Sequence, residues 1–267
     1  MTDAHSSDIQ VIDEYGREEK RIPARHRMIY LLPNAFTTAA LFAGFFAVVK
    51  AMNGEFSIAA VAIFCAMVLD GMDGRVARLT KTQSAFGEQY DSLADMVSFG
   101  IAPALVVYEW QLHGLGSGRL GLIVAFVYAV CAALRLARFN INTDVIDKRY
   151  FQGLPSPSAA ALMAGMVWLL EEKNLPISAG IVPYLAIVVT LFAGISMVTN
   201  VRYYSGKAMD VQHSVPFAKL LMFVGVMLCI IAWPPFTLFA LFVFYSLSGY
   251  VMSLLGWRKS KQSAGAK

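Results

Sequence analysis

Charged residues are scarce in this sequence. Asp, Glu, Lys and Arg make up 15% of its 267 residues, whereas a soluble domain carries about 25%. Apolar residues make up 57% and the mean hydropathy is +0.57. The uncharged runs are also too long and too numerous for a water-exposed surface. The composition therefore excludes a soluble protein and predicts an integral membrane protein with several spans.

Cysteine is scarce as well, and the amino-terminal region has no long apolar run. The three cysteines, Cys65, Cys131 and Cys229, are odd in number and lie within apolar runs, which excludes a disulfide framework. Residues 1–27 are polar and mixed in charge, so we expect no signal peptide there. We predict three regions: a cytoplasmic arm at 1–27, a transmembrane catalytic domain at 28–257 and a short basic cytoplasmic tail at 258–267.

The uncharged runs predict an all-α protein with about eight transmembrane helices. A helix needs about 20 residues to cross the hydrocarbon core, and the run at 28–49 is long enough. The runs at 56–69 and 96–108 are too short unless their helices continue through neighbouring aspartates. The run at 220–257 contains two consecutive prolines, which end helices, so we divide it into two spans. The remaining predicted spans lie within 120–138, 156–170 and 174–201.

The basic residues predict which side of the membrane faces the cytoplasm. With eight spans, both termini lie on the same side. All but three of the 22 Lys and Arg residues belong to the termini and loops of that side, the exceptions being Lys50, Arg119 and Lys173. Because cytoplasmic loops are enriched in Lys and Arg, we expect both termini in the cytoplasm.

Four aspartates fall within or beside the second and third predicted spans. At about 100° per residue, Asp70 and Asp73 share one face of a helix, and Asp91 and Asp95 share one stripe of the next. If the two helices pack with these faces inward, four carboxylates converge, and their repulsion requires a cation between them. Carboxylate oxygens without His or Cys suit a hard ion such as Mg²⁺ or Mn²⁺, and four carboxylates could hold two such ions.

The residues beside these acids indicate a diphosphate ligand. Gly74, Ala77 and Gly87 lie on the same helix faces and leave room for a bulky group near the backbone. Arg78 adds a planar guanidinium that suits a phosphate oxygen. Intramembrane acids also occur in proton relays and ion pathways. A transporter of ions or metabolites is therefore the alternative from another functional class.

The pattern Asp-x₂-Asp-Gly-x₂-Ala-Arg-x₈-Gly-x₃-Asp-x₃-Asp occupies residues 70–95. It resembles the signature of the CDP-alcohol phosphatidyltransferase family, with every signature position present. Members of that family are integral membrane enzymes that transfer a phosphatidyl or similar group from a CDP-linked lipid or alcohol to a hydroxyl and release CMP. The resemblance implies that the four aspartates bind two divalent ions and that Gly74, Arg78 and Gly87 contact the CDP group. It also implies that Asp95 is the general base and that the protein is a homodimer.

Three later stretches, 133–140, 151–157 and 197–205, resemble the bacterial phosphatidylserine synthase branch of the family. Asn34 and Thr37 in the first span also resemble that branch and are assigned to the CDP-lipid site with Ala77. Serine carries a carboxylate, so its binding requires a cation. The candidate serine-binding residues, all near predicted cytoplasmic helix ends, are Arg135, Arg138, Asn140 and Arg202. Each arginine could instead anchor its helix at the membrane surface.

The resemblance thus implies a transferase of phospholipid biosynthesis that uses CDP-diacylglycerol and L-serine. We expect it in the inner membrane of a bacterium, surrounded by membrane lipids, with its active site facing the cytoplasm and with no nucleic-acid partner. The nearest alternative is the same chemistry with glycerol phosphate or inositol phosphate as the acceptor. Those acceptors carry a phosphate dianion and should require a denser basic cluster.

Overall fold

Long helices make up most of the chain in the computed structural model. The structure describes residues 11–12, 18–19, 24–80, 82, 84–115, 118–141, 150–172, 180–204 and 217–264. The helices are α1 (Ala24–Met52), α2 (Phe56–Thr80), α3 (Ala85–Asp95), α4 (Ala102–Val107), α5 (Arg119–Ile141), α6 (Ser156–Glu171), α7 (Val182–Val198), α8 (Phe217–Ala232) and α9 (Pro234–Ala264). Within the continuous helix Ala85–Leu112, the segments Met96–Ile101 and Tyr108–Leu112 are π-helical and flank α4.

The described residues also include two short pairs of antiparallel strands, which the all-α prediction did not contain. The first pair is β1 (Val11–Ile12) with β2 (Glu18–Glu19), and the second is β3 (Tyr150–Gln152) with β4 (Arg202–Tyr204). The second pair joins two loops that are about 50 residues apart in the chain, a separation that local sequence patterns do not register.

The helix boundaries confirm that the shorter uncharged runs belong to longer helices. α2 continues through Asp70 as far as Thr80, and α3 begins before Asp91, so both runs belong to longer helices. α8 ends at Ala232 and α9 begins at Pro234, which confirms the division at the two prolines. Proline is well tolerated in the first turn of a helix, where its missing N–H would have no partner.

Among the described residues, five helical stretches are long and apolar enough to cross a membrane, and the chain is an integral membrane protein on this evidence. They are Leu32–Met52, Phe56–Thr80, Ala85–Leu112, Arg119–Ile141 and Pro234–Leu254, and shorter apolar stretches lie at Val182–Val198 and Leu220–Ala232. The count of eight spans stays a prediction. The predicted region boundaries after residues 27 and 257 fall inside α1 and α9, and most of the predicted arm at 1–27 lies outside the described residues.

Small residues allow the helices to approach one another closely. Ala47 of α1 and Ala59 of α2 are fully buried where these two helices pack together. α6 lies at the centre of the bundle against α2, α7 and α9. A Cβ at Gly165 of α6 would lie 3.1 Å from the Cα of Phe239 in α9. Close packing through small residues is how helices associate in membranes, where lipid tails are as apolar as leucine.

The paired strands β3 and β4 are held against α9 by a buried tyrosine. Phe151 of β3 pairs with Tyr203 of β4, and the Tyr203 hydroxyl donates to the carbonyl oxygen of Ser246 at 3.0 Å. Burial raises the pKa of Tyr203, which keeps the hydroxyl protonated and able to donate. The antiparallel pair of β3 and β4 is therefore attached to α9, and α6 begins only a few residues after β3.

Candidate active site

A cavity of about 850 Å³ lies among α1, α2, α3, α5 and the loop that precedes α6. Every residue of the aspartate signature lines it, as do both candidate residues from α1. The lining residues are Pro33, Asn34, Thr37, Asp70, Gly71, Asp73, Gly74, Ala77, Arg78, Thr82, Ser84, Ala85, Gly87, Glu88, Asp91, Ser92, Asp95, Arg135, Leu136, Phe139, Asn140, Phe151, Pro155 and Pro157. The faces of α2 and α3 that helical periodicity groups together therefore meet at one cavity.

Three of the four signature carboxylates form a tight group. One oxygen from each of Asp70, Asp91 and Asp95 lies within 4.8 Å of the other two. Asp73 lines the same cavity and is oriented by α1: the Thr37 hydroxyl donates to Asp73 Oδ2 at 2.8 Å. The convergence predicted from helix geometry is thus present, and Asp73 is held by Thr37, a candidate residue whose pairing with Asp73 the sequence did not indicate.

The cluster of Asp70, Asp91 and Asp95 fits a divalent cation. The Oδ1 atoms of Asp91 and Asp95 are buried and have no hydrogen-bond partner among the described residues. A buried charged oxygen without a partner carries a large desolvation cost, and coordination to a metal ion would remove it. The three ligand atoms are all carboxylate oxygens, which hard cations such as Mg²⁺ and Mn²⁺ prefer.

The glycines beside the acids differ in what surrounds them. A Cβ added at Gly74 would meet nothing within 4 Å, so this position opens directly into the cavity. At Gly87 a Cβ would lie 3.1 Å from Ser84 Oγ and 3.4 Å from Asn34 Oδ1. Gly74 thus leaves space for a ligand, whereas Gly87 permits close packing of α3 against α1. Ser84 caps α3 by accepting a hydrogen bond from the Gly87 N–H at 3.0 Å.

Arg135 supplies a buried cation on the other side of the acids. Its Nη1 donates to Ser156 Oγ at 2.7 Å, and its guanidinium lies 5.8 Å from the centre of the Phe139 ring. The guanidinium also attracts the Asp95 carboxylate. Within the part of the chain that the structure describes, its buried Nε has no hydrogen-bond partner, so this donor is available to an anionic ligand group. Ser156 was not among the candidate residues, although it lies in the segment 151–157 that the resemblance singled out.

The other three candidate serine-binding residues have different surroundings. Asn140 lines the cavity and exchanges hydrogen bonds with Ser92 of α3 at 3.1 and 3.3 Å. Arg138 and Arg202 are not among the described residues that line the cavity. Arg138 instead donates to backbone carbonyls at the end of α7. Arg202 lies in β4 with an exposed side chain.

A π-helical segment begins directly after Asp95. Within it, the Phe99 carbonyl cannot receive the α-helical hydrogen bond from residue 103, because that residue is proline. The Tyr128 hydroxyl of α5 donates to this carbonyl at 2.9 Å, and the Ser98 hydroxyl donates to the Ala40 carbonyl of α1 at 3.1 Å. These two bonds attach the segment behind Asp95 to α5 and α1. Sequence reasoning did not identify Tyr128.

Comparison with known families agrees with this arrangement. The model of the CDP-alcohol phosphatidyltransferase family matches residues 30–192, which is more than half of the chain and includes the whole cavity lining. The chain belongs to the CDP-alcohol phosphatidyltransferase family. It is therefore an enzyme, a transferase embedded in the membrane by its apolar helices.

Similar proteins carry a more specific name. A CDP-diacylglycerol–serine O-phosphatidyltransferase of Helicobacter pylori is 39% identical over 175 residues, which are 66% of this chain and 72% of that protein. A protein of the same name from Mycobacterium tuberculosis is 40% identical over 146 residues, 53% of this chain and 50% of that protein. Another, from Methanocaldococcus jannaschii, is 34% identical over 141 residues, 53% of this chain and 61% of that protein.

Proposed function

We propose that this phosphatidyltransferase moves the phosphatidyl group of CDP-diacylglycerol to the hydroxyl of L-serine and releases CMP. The observation that carries the proposal is the juxtaposition, in one cavity, of the clustered aspartates with a buried arginine that has a free donor. The aspartates suit a metal-bound diphosphate, and the arginine suits the carboxylate of an amino-acid acceptor. The names of the similar proteins support serine as that acceptor.

The cavity residues take the following roles in this proposal. Asp70, Asp73, Asp91 and Asp95 hold two divalent ions, Mg²⁺ or Mn²⁺. When bound, such ions neutralise the diphosphate charge and orient it for in-line displacement. Arg78 binds a phosphate oxygen through its guanidinium. The remaining CDP-lipid contacts come from Asn34, Thr37, Gly74, Ala77 and Gly87.

Asp95 is the general base on the acceptor side. The serine hydroxyl oxygen forms a bond to the phosphorus of the phosphatidyl group, while the bond from that phosphorus to the bridging oxygen of the diphosphate breaks. CMP departs with the bonding electron pair, and Asp95 accepts the hydroxyl proton. Arg135 binds the serine carboxylate through its free Nε donor, with Asn140 beside it in the cavity wall.

The proposed setting of the enzyme follows from its charge distribution and apolar helices. We place it in the inner membrane of a bacterium with eight spans, with both termini and the cavity on the cytoplasmic side. The arm at 1–27, the transmembrane catalytic domain at 28–257 and the tail at 258–267 belong to this proposal, as does a homodimer.

CMP release from CDP-diacylglycerol is the direct test. The purified enzyme is given serine, ethanolamine, glycerol phosphate or inositol phosphate in turn, with Mg²⁺ or Mn²⁺ present. We expect CMP release with serine, and its loss after chelation with EDTA and recovery when the ion is restored. Release only with a phosphorylated alcohol would replace serine by that acceptor. Ion flux in proteoliposomes without CMP release would favour the transporter. Full activity after verified metal removal would contradict the metal-dependent roles of the aspartates.

A further inference from the structure

Arg138 lies one helical turn from Arg135 on α5, yet its side chain points to a different part of the protein. We propose that Arg138 is a positioning residue that holds the acceptor-side wall of the cavity in place. This wall consists of Phe151, Pro155 and Pro157, which line the cavity, together with Ser156, which binds Arg135. The inference rests on the proposed function, because it assigns this wall to the acceptor alcohol.

The contacts of Arg138 join three separate segments. Nη1 donates to the carbonyl oxygen of Val198 at 3.1 Å and to Asn200 Oδ1 at 3.2 Å. Nη2 donates to the carbonyl oxygens of Gln152 at 3.0 Å, Met197 at 3.2 Å and Thr199 at 3.4 Å. The guanidinium therefore connects the end of α5 to β3 and to the last turn of α7.

The acceptors explain why an arginine is needed at this position. α7 ends at Val198, and the last carbonyls of a helix have no partner within the helix. A cation near these carbonyls is also favoured by the helix dipole. The planar guanidinium offers five donors in a fixed arrangement, whereas a lysine ammonium has three on a flexible stem. Lysine would preserve the charge and still lose most of the connection.

Gly153 makes this connection possible. Its φ is +76°, a conformation that glycine adopts without strain. A Cβ there would clash with the Met197 carbonyl oxygen and would lie 2.9 Å from Arg138 Nη2. The adjoining backbone is tied to the same region, since the Gly153 N–H donates to the Val201 carbonyl at 2.8 Å and the Leu154 N–H donates to the Ser196 carbonyl at 2.9 Å.

The segment that forms the acceptor-side wall follows Gly153 and Leu154 directly in the chain. Pro155 and Pro157 line the cavity, and Ser156 accepts the hydrogen bond from Arg135. Loosening the Arg138 connection would let this short segment move, and with it the Arg135 guanidinium, which donates to Ser156 at 2.7 Å. In the described parts of the chain, none of the hydrogen bonds of Arg138 reaches the carboxylates on α2 and α3. The effect should therefore fall on the acceptor and spare the CDP-lipid.

The experiment compares two variants that disturb the same connection from opposite sides. Arg138→Lys removes the planar guanidinium. Gly153→Ala displaces the backbone beside β3, because the added Cβ would lie 2.9 Å from Arg138 Nη2. For each, kcat and the KM for serine and for CDP-diacylglycerol are measured on protein whose thermal unfolding shows that it is folded. Arg119→Ala, which removes an exposed arginine at the other end of α5, is the matched control.

We expect both variants to raise the serine KM about tenfold, with the KM for CDP-diacylglycerol changed less than twofold and the control unchanged. The double variant should be no worse than the more severe single one, because both act on one connection. Asn200→Ala, which removes only one acceptor, should give a smaller increase and serves if either variant does not fold.

Three outcomes would overturn the inference. If Arg138→Lys raises the serine KM while Gly153→Ala and Asn200→Ala do not, Arg138 contacts the acceptor directly. If the two variants raise both KM values equally, or lower the unfolding temperature alone, the connection only supports the fold. Fully additive effects would show that the two residues act separately. If the wild-type enzyme uses another alcohol, serine as the acceptor is wrong. The KM for that alcohol is then compared with the KM for CDP-diacylglycerol in the same variants.

Discussion

Thr37 and Asp73 meet across two helices, and their hydrogen bond restricts the Asp73 carboxylate. The Thr37 side chain is 3% exposed, and its hydroxyl lies 2.8 Å from Asp73 Oδ2 and 3.2 Å from the Pro33 carbonyl oxygen. A hydroxyl has only one hydrogen to donate, and the shorter contact is to the charged oxygen. Thr37 therefore holds one oxygen of the Asp73 carboxylate and limits the rotation of that side chain.

Replacing Thr37 with valine tests this orientation. Valine preserves the shape of the side chain and removes the donor, so the Asp73 carboxylate gains rotational freedom. A hydrogen bond to a charged group contributes about 1.5–3 kcal/mol, so we expect the divalent-ion concentration for half-maximal activity to rise about tenfold or more.

The measurement is a titration of CMP release with Mg²⁺ or Mn²⁺ at saturating substrates. Thr190→Val is the matched control, because Thr190 is buried in α7 and its hydroxyl has no hydrogen-bond partner in the ranges that the structure describes. Its titration curve should match that of the wild type. An unchanged half-maximal concentration in Thr37→Val would show that Asp73 needs no orientation by α1.

Individual residues differ in how far their roles could be predicted from sequence. The four acids could be placed in one cavity because helical periodicity relates residues three and four apart on a single element. Thr37 could not be paired with Asp73, because that contact depends on how α1 is aligned against α2. Arg135 and Arg138 look equivalent in the sequence. Their difference arises from partners near residues 156 and 198, which only the packing of α5, α6 and α7 brings together.

At the scale of an element, the helix Ala85–Leu112 changes its winding directly behind Asp95. π-helical turns are rare and occur often at functional sites, because they shift the faces of the helix on either side. Here Pro103 removes the α-helical donor for the Phe99 carbonyl, and the Tyr128 hydroxyl takes its place. Gly44 permits the close approach from α1, since a Cβ there would lie 2.7 Å from the Cα of Ser98.

We expect Tyr128→Phe to lower kcat about tenfold. The substitution preserves the buried ring and leaves the Phe99 carbonyl without its side-chain donor, at a cost of about 1–3 kcal/mol. The π-helical segment can then shift, and Asp95 at its start shifts with it. The measurement is kcat at saturating substrates and metal ion, together with the unfolding temperature.

Tyr184→Phe is the control for this prediction, because Tyr184 is 64% exposed on α7. A Tyr128→Phe enzyme with a lowered unfolding temperature and a wild-type kcat would show that the hydroxyl stabilises the fold without positioning Asp95. The π-helical turn itself could not be expected from periodicity, because its stabilising partner belongs to another helix.

For the whole molecule, the predicted spans agree with the helices in position but not in length. α6, α7 and α8 contain only 16 or 17 residues, near the lower limit for crossing a hydrocarbon core of about 30 Å. α6 is buried among other helices along most of its length, so contact with lipid does not determine its composition or length. Shorter helices are also accommodated by local thinning of the bilayer. Eight spans are therefore compatible with five that satisfy strict limits of length and hydropathy.

The orientation of the chain can be tested with two introduced cysteines. Asn53 is exposed between α1 and α2, and Ser260 lies near the end of α9. With eight spans and a cytoplasmic amino terminus, these positions lie on opposite sides of the membrane. The native cysteines all lie in helical stretches long and apolar enough to cross a membrane or in shorter apolar ones, so a membrane-impermeant thiol reagent should leave the wild type unmodified.

We expect Asn53→Cys to be modified in intact cells and Ser260→Cys only after the membrane is permeabilised. The readout is the mass shift of the purified protein after treatment with the reagent. The opposite pattern would reverse the orientation and move the aspartate cavity away from the cytoplasm, where CDP-linked substrates and serine would have to meet it. Modification of both positions in intact cells would mean that the chain crosses the membrane an even number of times between residues 53 and 260, whereas eight spans require an odd number. In that case one of the short helices α6, α7 or α8 does not cross, and the carboxy terminus lies outside.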